Sequence, residues 1–111
     1  MSIHKDHRRR VKNRFLSEGH RERLRARFLQ SGLDSFNDIQ VLELLLFYTI
    51  PQGDVNPLAH RLLDHFGNLH NVLEAPPEQL VQVKGIGEHA AVLLGLVKGL
   101  SQKYLIDYEE K

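Results

Sequence analysis

The stretch LVQVKGIGEHAAVLL, residues 80–94, constrains the architecture of this chain more than any other. Two glycines flank one isoleucine, and a run of helix-forming residues follows at once. Gly85 and Gly87 can take backbone angles closed to other residues, and they leave no side chain in the way. Ile86 between them is expected to point inward and pin the corner. The segment therefore reads as helix, tight turn, helix. In that geometry the amides of Gly85, Gly87, His89 and Ala90 have no intrahelical acceptor and face outward. Unpaired amides at a helix N-terminus, aided by the helix dipole, suit a phosphate. Contacts of this kind reach only a sugar–phosphate backbone and do not read bases. The same turn serves equally as a plain corner between packed helices, and the residues alone leave both readings open.

The rest of the chain has helical punctuation throughout. HRERLRARFLQ, residues 20–30, is helical, with Leu24, Phe28 and Leu29 on one side, Arg21 and Arg25 on another, and Ser31 and Gly32 as its stop. Asn37 caps a second helix and Gln40 completes a capping box. The run 41–48 is apolar nearly all round except Glu43, which predicts a central helix buried on several sides. Asn56 followed by Pro57 marks a third start, a capping side chain and then proline at the first helical position. Leu58, Ala59, Leu62, Leu63 and Phe66 form its inner face, and Gly67 ends it. NLHNVLEA and PPEQLVQV each give a short helical turn. After the glycines, Ala90, Leu93, Leu94, Val97, Leu100 and Tyr104 recur at helical spacing, and the polar end IDYEEK is expected to fray. No period-2 alternation lasts between turn signals, so the expected class is all-α, with five or six short helices. A faint repeat at a shift of 32 places Gly53 on Gly85, Ala59 on Ala91 and Leu62 on Leu94, a degenerate second copy of the hairpin.

Charge divides the chain. Its net charge of +1 conceals ten basic and three acidic residues in positions 1–30, against five basic and eleven acidic ones in 31–111. A basic, flexible N-terminal arm (residues 1–18) on a mildly acidic helical domain (19–105), with a polar tail (106–111), is the expected organisation. Arg8, Arg9, Arg10, Lys12 and Arg14 are the candidates for non-specific attraction to nucleic acid; the alternative is a solvated arm, or a helix whose arginines face water and pair with Glu18 and Glu22. There is no cysteine, which excludes a disulfide framework, a thiol nucleophile and a cysteine-ligated zinc site. No apolar run approaches the ~20 residues of a membrane span. A cytoplasmic protein without a membrane partner is the expectation. The seven histidines do not fall at the i, i+4 spacing of a helical metal site, with His60, His65 and His70 each five apart. Neither the serines nor Glu43 and Glu74 have an evident catalytic partner.

On these residues the hairpin resembles the helix–hairpin–helix motif of DNA-repair and recombination proteins. The wider chain, GHRERLRARFLQSGLDSFNDIQVLELLL and then NPLAHRLLDHFGNLHNVLEAPPEQLVQVKGIGEHAAVLL, resembles the N-terminal region of the RadC family, UPF0758, over about residues 19–105. The resemblance implies DNA-backbone binding without sequence specificity through Lys84, Gly85, Gly87, His89 and Ala90. It also implies a monovalent cation held by the carbonyls of Val81, Val83 and Ile86, and a C-terminal JAB/MPN metalloprotease-like domain as partner in the natural chain. The zinc motif of that domain, beginning His-x-His, does not occur here, so this segment is expected to be non-catalytic. Glu88 and His89 are departures from a basic or neutral phosphate site. A module that docks the metalloprotease-like domain or a partner protein is the alternative. Part of the apolar run 44–50 could then serve as interface, although a run of this kind is more often core.

Overall fold

A computed structural model describes residues 2–110, with side chains from Ser17 onward. Its elements are α1 (Ser2–Ser31), α2 (Asp38–Phe47), α3 (Asn56–Phe66), α4 (Leu69–Glu74), α5 (Pro77–Leu80) and α6 (Glu88–Glu109). Among the described residues there is no strand, so the class is all-α as expected. The chain divides into two compact units, Met1–Pro57 and Leu58–Lys111.

In the first unit α1 packs against α2. The backbone is helical from Ser2, not only from residue 20 as the periodicity suggested. Arginine, lysine and leucine are good helix formers, and no proline interrupts them; the first glycine is Gly19. Gly32, at φ +68, closes the helix with its amide on the Phe28 carbonyl at 2.8 Å, the left-handed stop expected there. Leu24 is buried, but Leu29 is 85% exposed and does not share its face. The α2 capping box forms as expected: the Gln40 amide donates to Asn37 Oδ1 at 2.9 Å, and the Asn37 amide donates to Gln40 Oε1 at 3.1 Å. Leu42, Leu46 and Phe47 are buried, with Val55 from the following loop.

Two polar side chains enter this core. Arg21, placed above on a different side from Leu24 and Phe28, is buried and donates to the carbonyls of Phe47 at 3.3 Å and Gly53 at 2.9 Å. Its guanidinium also lies 4.8 Å from the centre of the Phe47 ring. Burial first, and then the neighbouring Arg25, lower its pKa, while Glu18 and Asp54 oppose that shift. The hydrogen bonds offset the desolvation of the charge. Glu43 is buried as well and accepts from His20 Nε2 at 3.1 Å.

The second unit holds α3 from Leu58 onward and the three remaining helices, with α4 and α5 packed on α6. The side chain that secures the start of α3 is that of Asp54, whose Oδ1 accepts the Asn56 amide at 2.9 Å; Asn56 itself is the first helical residue. Ala59 and Leu62 are buried, while Leu58, Leu63 and Phe66 are half-buried. Gly67 takes φ +97 at the end of the helix. Asn68 caps α4 through the Asn71 amide at 2.8 Å. Val72, Leu80 and Leu94 complete the centre, each fully buried. Each such side chain contributes about 1.5–3 kcal/mol by leaving water, so they outweigh the exposed Lys98–Glu74 pair at 2.7 Å.

α6 differs from expectation at its far end. Leu100 and Tyr104 continue the helical spacing of Ala90 and Leu94 but are 56% and 67% exposed. The tail does not fray at 106, because the helix runs to Glu109, where Tyr104 and Tyr108 stack one turn apart. No helix among the described residues is long and apolar enough to cross a membrane.

Candidate nucleic-acid interface

The corner before α6 is built by a descending series of tight backbone bonds. The Val83 amide donates to Leu80, and the Ile86 amide to Val83 at 3.0 Å. Val83 and Ile86 are buried, so both apolar positions of the turn anchor it from below. Gly85 lies at φ +91, a conformation that strongly favours glycine, and a Cβ there would collide with the Leu58 side chain. Arg61 of α3 holds the turn from outside, its Nη1 donating to the Lys84 carbonyl at 3.0 Å. This arginine lies 23 residues away in sequence, and no local pattern pointed to it.

Gly87 does not fit the role assigned to it from sequence. Its φ of −95 and ψ of −172 are extended backbone open to any residue, and a Cβ there would meet nothing within 4 Å. The fold itself does not demand glycine at 87. What glycine leaves is open space beside the first turn of α6, of which Gly87 is the N-cap, with no side-chain cap bond.

The first helical bond is from the Ala91 amide to the Gly87 carbonyl at 3.1 Å. Among the described residues, the amides of Gly85, Gly87, Glu88, His89 and Ala90 have no hydrogen-bond acceptor. Lys84, Gly85, Gly87, Glu88 and His89 are exposed, whereas the Ala90 methyl is buried against the core. The hairpin thus brings together all five of the candidate residues from Lys84 to Ala90, and adds the Arg61 guanidinium. Glu88 stands in the first turn, where it suits the helix dipole and opposes an anion. The side chains of Arg8, Arg9, Arg10, Lys12 and Arg14 lie outside the described residues; their positions belong to α1.

The repeat at a shift of 32 has a local structural counterpart. Gly53 and Gly85 take nearly the same φ, +92 and +91. Helices begin three residues after each, at Asn56 and Glu88. Ala59 and Ala91, and likewise Leu62 and Leu94, are buried at equivalent steps. The plug residue differs: Val55 stands two residues after Gly53, Ile86 one residue after Gly85.

A family profile described as UPF0758 N-terminal matches residues 17–92, well over half of the chain. The chain belongs to the UPF0758 family. Among its curated relatives, a UPF0758 protein of Ruegeria pomeroyi is 54% identical over 84 residues, covering 76% of this chain and 32% of the relative. One from Rhodobacter capsulatus is 46% identical over 72 residues, 65% of this chain and 34% of its own length. One from Fusobacterium nucleatum is 38% identical, covering 93% of this chain and 43% of the relative. This UPF0758 chain thus spans less than half the length of these relatives. No solved structure matches it. The family match runs through the glycine turn to Val92 and bears out the RadC-like resemblance, which was drawn over about residues 19–105.

Proposed function

We propose that this UPF0758 segment is a non-catalytic module that grips the DNA backbone without reading its sequence. The observation that carries the proposal is the start of α6, a row of unpaired amides beside the open space left by Gly87. A phosphate oxygen there would accept from the Gly87, His89 and Ala90 amides, with Gly85 at the edge of the turn. Lys84 and Arg61 supply positive charge, and the basic residues of α1, including Arg8, Arg9, Arg10, Lys12 and Arg14, add long-range attraction. A monovalent cation on the carbonyls of Val81, Val83 and Ile86 is part of the same proposal; among the described residues those of Val81 and Ile86 accept no hydrogen bond and that of Val83 accepts one. Such an ion would hold the turn and add charge beneath the phosphate. In a longer chain the module would place a tethered metal-dependent domain on DNA.

Fluorescence anisotropy with two duplexes of unrelated sequence tests this reading. Equal affinity for both, falling steeply with salt, is the expected result; no binding at low salt overturns it. Binding that is weakened but retained after removal of residues 1–16 places the backbone contact in the hairpin, and complete loss of binding on that removal moves it to the basic segment.

One observation favours the second reading, a protein-docking module. From Leu96 onward α6 presents Leu96, Leu100, Tyr104 and Tyr108 on one exposed ridge at four-residue spacing, a pattern that fits a partner surface such as a metalloprotease-like domain.

A further inference from the structure

The last turns of α6 form a surface complementary to itself. Ala90, Leu94, Val97, Ser101, Tyr104 and Tyr108 follow the alternating four- and three-residue spacing of a helix-packing seam. Ala90 and Leu94 are buried and Val97 is half-buried, so the seam starts in the core of the second unit. Ser101, Tyr104 and Tyr108 continue it into solvent, with Leu100 and Leu105 on either side. Leu100, Tyr104, Leu105 and Tyr108 are between 56% and 67% exposed.

Leu100, Ser101, Tyr104 and Leu105 line a shallow groove on this stretch. Serine is its small member, and the Ser101 hydroxyl donates to the Val97 carbonyl of its own helix at 2.8 Å. A ring laid on that floor therefore strands no hydroxyl. Four side chains around such a gap make the kind of hole that a knob from a facing helix enters. Tyr108, one turn further along the same seam, is a knob of the right shape. An antiparallel pair that sets Tyr108 of each copy over the other's groove has its two-fold axis beside Leu105. Lys103 of one copy then stands opposite Asp107 of the other, and the symmetry repeats the pair. The groove and Tyr108 alone fix this register, yet it also matches opposite charges; a parallel pair sets Lys103 against Lys103. The overlap runs from about residue 100 to the helix end at Glu109, beyond the Lys98–Glu74 link to α4.

Area sets the strength. Covering the four large side chains removes on the order of 100 Å² each. With the charged edges, the two copies together bury about 1,000 Å², the size of a weak, reversible interface. We propose that α6 pairs antiparallel with α6 of a second copy of this chain, Tyr108 of each seated in the Leu100–Ser101–Tyr104–Leu105 groove of the other. The dissociation constant expected of so small an interface is roughly 10–500 μM. The pairing does not depend on DNA binding.

Sedimentation equilibrium of the whole 111-residue chain, from about 10 μM to about 1 mM, tests this. The average mass should rise from one chain towards two. Tyr108→Arg should weaken association at least about tenfold, with helicity by circular dichroism unchanged. Lys103→Glu and Asp107→Lys should each weaken it about three- to tenfold, because like charges then meet across the axis. Mixed together, those two variants should associate at least as tightly as the wild type, since both cross-pairs are then of opposite charge. A monomer at every concentration overturns the proposal and leaves the α6 surface to a different protein. A dimer indifferent to Tyr108→Arg, or charge variants that do not prefer each other, also overturns it. Should Tyr108→Arg lose helicity, the mixing experiment decides.

Discussion

At the scale of single residues, the two glycines of the hairpin have different jobs. Gly85 is required by the backbone: φ is +91, and Leu58 occupies the place of a Cβ. Gly85→Ala should therefore lower stability by about 1–3 kcal/mol in urea denaturation. Gly87 is not required in this way, and Gly87→Ala should cost under about 1 kcal/mol. Buried Arg21 is a third case. Arg21→Met keeps much of the packing but strands the Phe47 and Gly53 carbonyls, and should cost about 2–4 kcal/mol by the same measurement. Sequence could not separate these roles. Gly-x-Gly looks symmetrical on paper, and an arginine in a run of arginines looks solvated until its partners, 26 and 32 residues away, are known.

At the scale of elements, what was legible was what is local. The Asn37–Gln40 capping box, the glycine stops at Gly32 and Gly67, and the Val83–Ile86 corner all depend on residues within four positions of one another. What was not legible depends on packing between elements. Helical periodicity gives Leu100 and Tyr104 an inward face, but no described residue of the second unit covers them. The Lys98–Glu74 link between α6 and α4 is equally non-local. The Lys98 hydrogen bond lowers the Glu74 pKa below the ordinary 4.5. A depressed carboxyl contributes stability above its unfolded pKa, and that contribution is lost as pH falls through the folded value. NMR titration should place the Glu74 midpoint below 4.5 in the wild type and return it towards 4.5 in Lys98→Met. An unmoved midpoint would show that the pair does not persist in solution.

At the scale of the whole molecule, charge is placed against charge. The sequence is nearly neutral overall yet strongly basic in its first thirty residues. Glu88 opposes any phosphate at the start of α6, so Glu88→Gln should raise DNA affinity about two- to fivefold at low salt. The most direct measurement is duplex DNA affinity for the wild type and for Gly87→Asp, both checked for thermal stability. Aspartate is a favoured N-cap and finds open space at 87, so the variant should stay folded and melt no lower than the wild type. Its carboxylate would meanwhile occupy the amides and repel phosphate. At least about a tenfold loss of affinity with the fold intact is the expected result. A folded Gly87→Asp that binds DNA as well as the wild type would contradict it.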